Sequence, residues 1–402
     1  MLASSLAQKA RGLFGPLAET EPSLSSPGLH AKTRLLVGGR NWPFSPESGW
    51  AELLGGEVEL SLVAQSRDVE VEIPRWSLAP PVPRVAAIDE SLRLRLAQSL
   101  AYLAEVASLA ETHAEALAEI ERRLGSGPVS PWVFCLYSKL VAELAKTPQG
   151  DCSATFAAVI EAASLPGEDA GVVCFGDRTA SAVWWDQFRL LFDTDRQRPF
   201  KPKAPSPENF AACQETIAAG LALFERADPV FHEEVRHLVR MIVLGAPGSD
   251  NPADGFNGAS TFFLWGASLL NADPKRSTIA MVDLLVHESS HVLLFGVSAE
   301  GALTENSGRE RYDSPLRRDK RPIDGILHAC FVATRVHLAM NRLLESGALT
   351  EAEANIARDS AEYNERAARN GIVELNRHAR LTALGEKVVD SLRAYWAGNV
   401  AH

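Results

Sequence analysis

The chain has 402 residues, of which 46% are hydrophobic and 23% charged, and this composition excludes a disordered or fibrous protein. Its formal net charge of -11 disfavours nucleic acid as the main partner, because phosphate binding needs a basic face. Neither a signal-peptide core nor an apolar run of membrane-spanning length is visible, so we expect a soluble cytoplasmic protein without a membrane partner. Five scattered cysteines predict free thiols: Cys135, Cys152, Cys174, Cys213 and Cys330.

The first half of the chain mixes strand-like and helical patterns. Residues 57–73 alternate apolar and polar side chains around a central break, which predicts a β-hairpin. Apolar residues then recur at helical spacing over 88–124, with a bend or break before the last part. Further helices are predicted at 132–146, 151–164 and 206–246, the last broken at Pro229, and strands are predicted within 171–195.

The next part leads into one long apolar helix. A loop rich in Gly and Pro spans 245–258 and feeds the apolar run 259–265, which we interpret as a strand. A helix is predicted over 277–296, followed by a polar, Arg-rich loop at about 301–321. This order of strand, helix and loop is typical of metal-dependent enzymes that carry their ligands on the helix.

Helices complete the chain. Thr350 and Glu353 fit a capping box, and Gly371 predicts a helix stop. The fold class is therefore predicted to be α+β and predominantly helical, with a small sheet packed against the metal-bearing helices and an N-terminal lobe. The last helices are predicted at 323–346, 350–369 and 372–398.

The motif H-E-S-S-H at 287–291 carries the chemistry. His287 and His291 are four residues apart, so both imidazoles lie on one helix face and can share a metal ion. In zinc peptidases the residue at the position of Glu288 is the general base that activates the attacking water. Two solvent-facing histidines are the alternative, but this polar set on a largely apolar helix would be costly to bury without a task.

The third ligand is left open by the sequence. A catalytic metal commonly has three protein ligands and an open position. The metzincin pattern is excluded, because Leu294 and Val297 stand where it requires Gly and His. Glu300 and Glu305 are carboxylate candidates, whereas His328 is the next available histidine and lies on a helix that can return antiparallel to the first.

The combined pattern resembles a known family. The motif, the Arg-rich loop and the segment R-P-I-D-G-I-L-H-A at 321–329 resemble the HExxH-motif peptide-modification proteins of ribosomal peptide pathways, over roughly 258–345. Members of that group are iron(II)- and 2-oxoglutarate-dependent hydroxylases that act at the β position of residues in a precursor peptide. The resemblance implies that His287, His291 and His328 bind the metal, with 2-oxoglutarate and O₂ as co-substrates and the precursor peptide as partner.

The resemblance also implies roles around the metal. Arg321 would hold the 2-oxoglutarate carboxylate, with Arg318 as second choice, because guanidinium offers a planar pair of donors. A three-histidine iron site is unusual, so Glu288 would ligate in place of His328 or orient a ligand from outside the coordination sphere. An exposed edge of the strand at 259–265 would capture an extended peptide by backbone pairing.

These patterns leave three functions and one division of the chain. The hydroxylase is favoured; the alternatives are a zinc metallopeptidase with Glu288 as general base, and a non-catalytic peptide-binding module. An Arg pocket beside the metal separates the first from the second, since a peptidase does not need it. We divide the chain into an irregular arm with a hairpin (1–85), a helical and mixed lobe that would bind a leader peptide or shape the cleft (86–250), and the metal-binding domain (251–402).

Overall fold

A computed structural model describes residues 78–398 with a few internal exceptions. The predicted hairpin at 57–73 lies outside the described residues, and so does Arg318. The exceptions are 148–149, 168–170, 193–200, 250–254 and 315–318.

The described part of the chain is mostly helical and contains a small mixed sheet, as the sequence predicts. Four strands form the sheet: β1 (Gly171–Cys174), β2 (Met241–Gly245), β3 (Gly258–Ala259) and β4 (Ala267–Asn271). The helices are α1 (Val82–Val106), α2 (Ala114–Ser126), α3 (Trp132–Lys146), α4 (Ser153–Ala163), α5 (Ala182–Phe192), α6 (Pro207–Ala227), α7 (Pro229–Leu238), α8 (Thr278–Ser298), α9 (Ile323–Glu345), α10 (Glu351–His378) and α11 (Ala383–Trp396).

The described residues fall into two compact units. One contains Ile88–Gly167 and Ser298–Ala302, and its helices α2, α3 and α4 contact one another. The other contains Ile73–Ala87, Glu168–Val297 and Leu303–His402, and with them the whole sheet and the H-E-S-S-H motif. The domain boundaries at residues 85 and 250 stay predictions.

The sheet has the order β1-β2-β4-β3. Strands β1, β2 and β4 are parallel, whereas β3 pairs with β4 in the antiparallel direction. Every residue of β2 and β4 is buried, as expected of strands inside a parallel sheet covered on both faces. Strand β3 is thus a short antiparallel edge, and it brings the sheet into contact with α8.

Two strand predictions are wrong because aromatic residues have helical spacing there. Among the described residues of 171–195, only Gly171–Cys174 is a strand, and Ala182–Phe192 is helix α5. The buried residues of α5 recur at three- and four-residue steps, which is the period of a helix face. They are Trp184, Trp185, Gln187, Phe188, Leu191 and Phe192.

The strand predicted at 259–265 is also displaced. Strand β3 ends at Ala259, the chain turns where Leu264 N donates to Thr261 O, and β4 begins after Gly266. Gly266 has a φ of +87°, a conformation that favours glycine and that a continuous strand does not contain. The apolar run is therefore mostly a turn between two strands.

Two helix limits need correction. The helical hairpin predicted to reach residue 246 ends at Leu238, and Met241–Gly245 is a strand. Gly371 is not a stop, because α10 runs unbroken from Glu351 to His378. Gly371 is instead buried inside that helix, where a small residue suits close packing. The capping box of Thr350 and Glu353 is confirmed.

Helices α8 and α9 are the apolar centre of the larger unit. Each is long and apolar enough to cross a membrane by length and composition alone, yet 72% of its most apolar window is buried inside the fold. That burial is typical of core helices and agrees with the expected absence of a membrane span. Helix α9 packs extensively along α10.

A fully buried ion pair fixes α9 against its neighbours. Arg335 on α9 donates to Glu234 on α7, with 2.6 Å between Nη2 and Oε1, and neither side chain is exposed. The same guanidinium donates to Ser290 Oγ on α8 at 2.9 Å and to the carbonyl oxygen of Leu78. Burial raises the pKa of Glu234 to about 7, although Arg335 acts in the lowering direction. One side chain therefore joins α7, α8 and α9.

We expect Glu234→Ala to lower the free energy of unfolding by about 3–5 kcal/mol, because it leaves the guanidinium of Arg335 buried without its counter-charge. Glu234→Gln should be milder, since an amide oxygen still accepts a hydrogen bond. Denaturant unfolding measures both. Glu119→Ala, which removes an exposed ion pair, is the control and should barely move the midpoint. Equal effects of the three substitutions would contradict the role given to the buried pair.

Candidate functional site

Helix α8 is positioned by its start and by its apolar faces. Ser277 Oγ accepts from Ala280 N at 3.2 Å, which satisfies a backbone donor of the first turn. Ile279, Val282 and Val286 are wholly buried, so the helix is anchored on the side away from the motif. This anchoring presents the motif to a cavity.

The predicted ligands and the predicted co-substrate residue line one cavity of about 450 Å³. That size suits a small organic ligand rather than a macromolecule. Its walls come from β3, α8, the loop before α9, and α9. They are Gly258, Ala259, Ser260, His287, Glu288, His291, Phe295, Ser314, Arg321, Asp324, Gly325, His328, Ala329 and Val332.

The three imidazoles lie in a row. The ring centroids of His287 and His291 are 5.1 Å apart, and those of His291 and His328 are 5.8 Å apart. Nδ1 of His328 lies 3.5 Å from Nδ1 of His291. Phe295 stacks beside both, with centroids 6.2 Å from His291 and 5.1 Å from His328. Helix α9 brings His328 beside His291 of the motif.

The pair formed by His291 and His328 fits a metal ion. Two nitrogens at about 2.1 Å from one tetrahedral ion would be about 3.4 Å apart, and the two Nδ1 atoms are separated by 3.5 Å. Imidazole is a suitable ligand for iron and for zinc. Within the described ranges, however, no three His, Cys, Asp or Glu side chains form a ready ligand group. The donor chemistry of this pair therefore fits a metal ion, whereas a third ligand is not in place among the described residues.

Asp324 stands behind His328, one turn earlier on α9. Its Oδ2 lies 4.0 Å from Nε2 of His328. Burial lowers the pKa of His328, and the Asp324 carboxylate acts in the opposite direction. A neutral imidazole with Nδ1 toward His291 and Nε2 toward a carboxylate is the arrangement that orients a metal-binding histidine.

Glu288 faces the sheet edge. Its carboxylate accepts from Ser260 Oγ, with 2.7 Å to Oε2, and its side chain is 3% exposed. A Cβ added at Gly258 would lie 2.4 Å from Oε1, so a larger residue there would require the Glu288 side chain to move. Burial raises the pKa of Glu288 to about 7, and the Ser260 hydrogen bond acts against that rise. Glu288 is thus wedged between α8 and β3 and also lines the cavity.

Arg321 reaches the cavity from the Arg-rich loop. Its backbone pairs with Tyr312 through two hydrogen bonds of 2.8 Å, which fixes where the side chain begins. Nη2 binds Asp319 Oδ2 at 2.7 Å, whereas Nε is buried and has no partner among the described residues. A buried donor of this kind favours a bound acceptor.

The two carboxylates that the sequence offers as third ligand lie outside the cavity. Glu300 pairs with Arg95 at 2.8 Å and does not line the cavity. Glu305 does not line it either. The roles of His287, Glu288 and their partners at the cavity stay predictions.

Sequence reasoning missed several wall residues. Asp324 could have been found, because it precedes His328 by four residues and shares its helix face. Ser260 and Gly258 could not, since their approach to Glu288 depends on how the sheet edge meets α8. Phe295 could also have been found, because it follows His291 by four residues and shares its face of α8.

No protein-family model matches this chain, and no curated protein matches it. The resemblance to the HExxH peptide-modification proteins therefore stays a prediction, and the site must be argued from its own residues.

We expect Ser260→Ala to raise the pKa of Glu288 in the metal-free protein, because the lost hydrogen bond stabilises the charged carboxylate. Carbon-13 NMR titration of the glutamate carboxyl carbon measures the change. Ser164→Ala, which removes an exposed hydroxyl that donates to Ile160 O at 3.2 Å, is the control. An unchanged titration in Ser260→Ala would contradict the assigned contact.

Proposed function

We propose that this protein is an iron(II)- and 2-oxoglutarate-dependent hydroxylase that acts at the β-carbon of a residue in a ribosomally made precursor peptide. One observation carries the proposal: three imidazoles line the same cavity as a guanidinium whose buried Nε has no partner among the described residues. A hydrolytic site needs the first group but not the second. The five thiols are free, which agrees with a cytoplasmic location.

The chain's own residues supply binding and orientation. His287, His291 and His328 would hold the metal, and Asp324 would keep the His328 ring turned so that Nδ1 points at the ion. Iron, when bound, supplies the chemistry by which O₂ and 2-oxoglutarate give succinate, carbon dioxide and a hydroxylated carbon. The protein contributes alignment of the reactants and exclusion of side reactions.

Arg321 would bind the distal carboxylate of 2-oxoglutarate. Its planar guanidinium matches a carboxylate, its Nε has no partner in the described part of the chain, and Tyr312 fixes its backbone. Binding would require the guanidinium to exchange Asp319 for the co-substrate, which is feasible because that pair is partly exposed. The apolar wall of Phe295 and Val332 would shield the reacting carbon from water.

Glu288 would position rather than transfer protons in this reaction, since removal of a hydrogen atom from carbon needs no general base. Its Ser260 contact joins α8 to the sheet edge and thereby holds His287 in place. This assignment separates the favoured function from its competitor.

A zinc metallopeptidase is the second candidate, and one observation favours it. Glu288 lines the cavity, and its pKa of about 7 is suited to general base catalysis at neutral pH. In that function Glu288→Gln would abolish peptide cleavage by the zinc-loaded protein. The hydroxylase function predicts instead that zinc supports no cleavage.

We expect a weak visible charge-transfer band when iron(II) and then 2-oxoglutarate are added to the protein without oxygen. Arg321→Ala should weaken 2-oxoglutarate binding about 10- to 100-fold, because a charge-assisted hydrogen bond contributes about 1.5–3 kcal/mol. Titration of the band gives the dissociation constant.

Arg311→Ala is the control for that titration, because Arg311 lies on the same loop and does not line the cavity. It should leave 2-oxoglutarate binding unchanged. Absence of the band, together with zinc-supported cleavage of a peptide, would replace the hydroxylase by the peptidase.

We expect His287→Ala, His291→Ala and His328→Ala each to lose tight iron(II) binding, because two remaining imidazoles do not complete a site. Competition against a chromophoric chelator measures the affinity. His337→Ala on α9 is the matched control, since that ring bonds Tyr395 at 2.7 Å and does not line the cavity. If His328→Ala binds iron as well as the unchanged protein, a carboxylate is the third ligand.

A further inference from the structure

We infer that an extended peptide docks antiparallel on strand β3, that its hydrogen bonds go to the backbone of Gly258, and that the paired peptide residue is the one modified. The inference rests on the proposed function for the peptide as substrate, and it adds a binding mode and a register. The argument depends on which way the backbone groups of β3 point.

The ladder between β3 and β4 fixes that direction. Gly258 lies opposite Leu270, and Ala259 lies opposite Leu269. One position earlier, Asn271 N donates to Asn257 O at 2.9 Å, which makes Asn257 and Asn271 a hydrogen-bonded pair. Such pairs alternate with non-bonded pairs in an antiparallel ladder. The N–H and C=O of Gly258 therefore point away from β4.

Among the described residues, β3 forms one edge of the sheet. β3 is the last strand in the order β1-β2-β4-β3, and within the described ranges no strand pairs with its far side. Gly258, Ala259 and Ser260 all line the cavity that holds the three imidazoles. An added strand would thus run along the rim of the candidate site, and backbone pairing binds many sequences because it reads no side chain.

The position of Gly258 determines which peptide residue would point its side chain into the cavity. Residues directly opposite in a sheet place their side chains on the same face. The Cβ direction of Gly258 leads to Glu288 on α8. A peptide residue paired with Gly258 would therefore project its β-carbon toward α8 and the imidazoles, whereas its two neighbours would project away.

The experiment uses displayed random peptides as the probe. Peptides selected on the full-length protein are resynthesised with single amide-to-ester replacements, each of which removes one N–H donor. We expect one ester to weaken binding about tenfold, the value of one hydrogen bond. Esters at the residues on either side should leave binding unchanged, because their N–H groups point away from β3. The sensitive residue should be the hydroxylated one.

Amide hydrogen exchange then locates the docked peptide. Protection of the Gly258 amide on peptide binding is expected, and the opposite sheet edge, β1, is the internal control. Protection at β1 alone, tolerance of every ester, or failure to select any peptide would overturn the inference. The His287→Ala variant helps to separate the two proposals. Protection of the Gly258 amide without iron binding keeps the docking mode even if the hydroxylase proposal is wrong. Binding of iron and 2-oxoglutarate without that protection keeps the hydroxylase proposal and overturns the docking mode.

Discussion

Helix α8 must satisfy buried polar side chains on several of its faces, and the surrounding structure is arranged around that requirement. Glu288, Ser289 and Ser290 are 3%, 0% and 0% exposed, respectively. A buried polar group without a partner costs about 1–3 kcal/mol. Glu288 accepts a hydrogen bond from Ser260 at the sheet edge, and Ser290 accepts one from Arg335 on α9. The partners of the motif thus decide where the sheet and α9 must lie.

The side chains of α8 that pack in the interior and those that line the cavity lie on different faces of the helix. Ser290 and Arg335 face the interior, where Glu234 completes the charge. His287 and His291 face the cavity, with His328 opposite. A small change on the interior side would shift the helix and, with it, the spacing of the imidazoles. The proposed metal binding and the folding stability would therefore be coupled through one helix, although they use different residues.

The helices could largely be predicted from the sequence, whereas of the sheet only its presence and the strand at Gly171–Cys174 could. Helix α3 has the predicted bounds, and α8, α9 and the Thr350 cap are close to theirs, because local periodicity and capping decide them. The sequence predicts a helix where Met241–Gly245 is a strand, because a short apolar run that is buried on both faces shows no alternation of apolar and polar residues.

The site shows the same division. Four-residue spacing was enough to pair His287 with His291. The approach of His328 depends on how the long loop between α8 and α9 folds. Arg321 is suggested by the family resemblance rather than by any local pattern. The contact between Ser260 and Glu288 bridges 28 positions along the chain and has no sequence signal.

The Arg335 contacts have a consequence for the order in which the protein is made. Arg335 lies 101 positions after Glu234 and 257 after Leu78, so its partners leave the ribosome long before it does. Until α9 arrives, the Glu234 carboxylate lacks its counter-charge. Contacts of such long range fold slowly. The cavity is therefore assembled late, after most of the polypeptide has been synthesised.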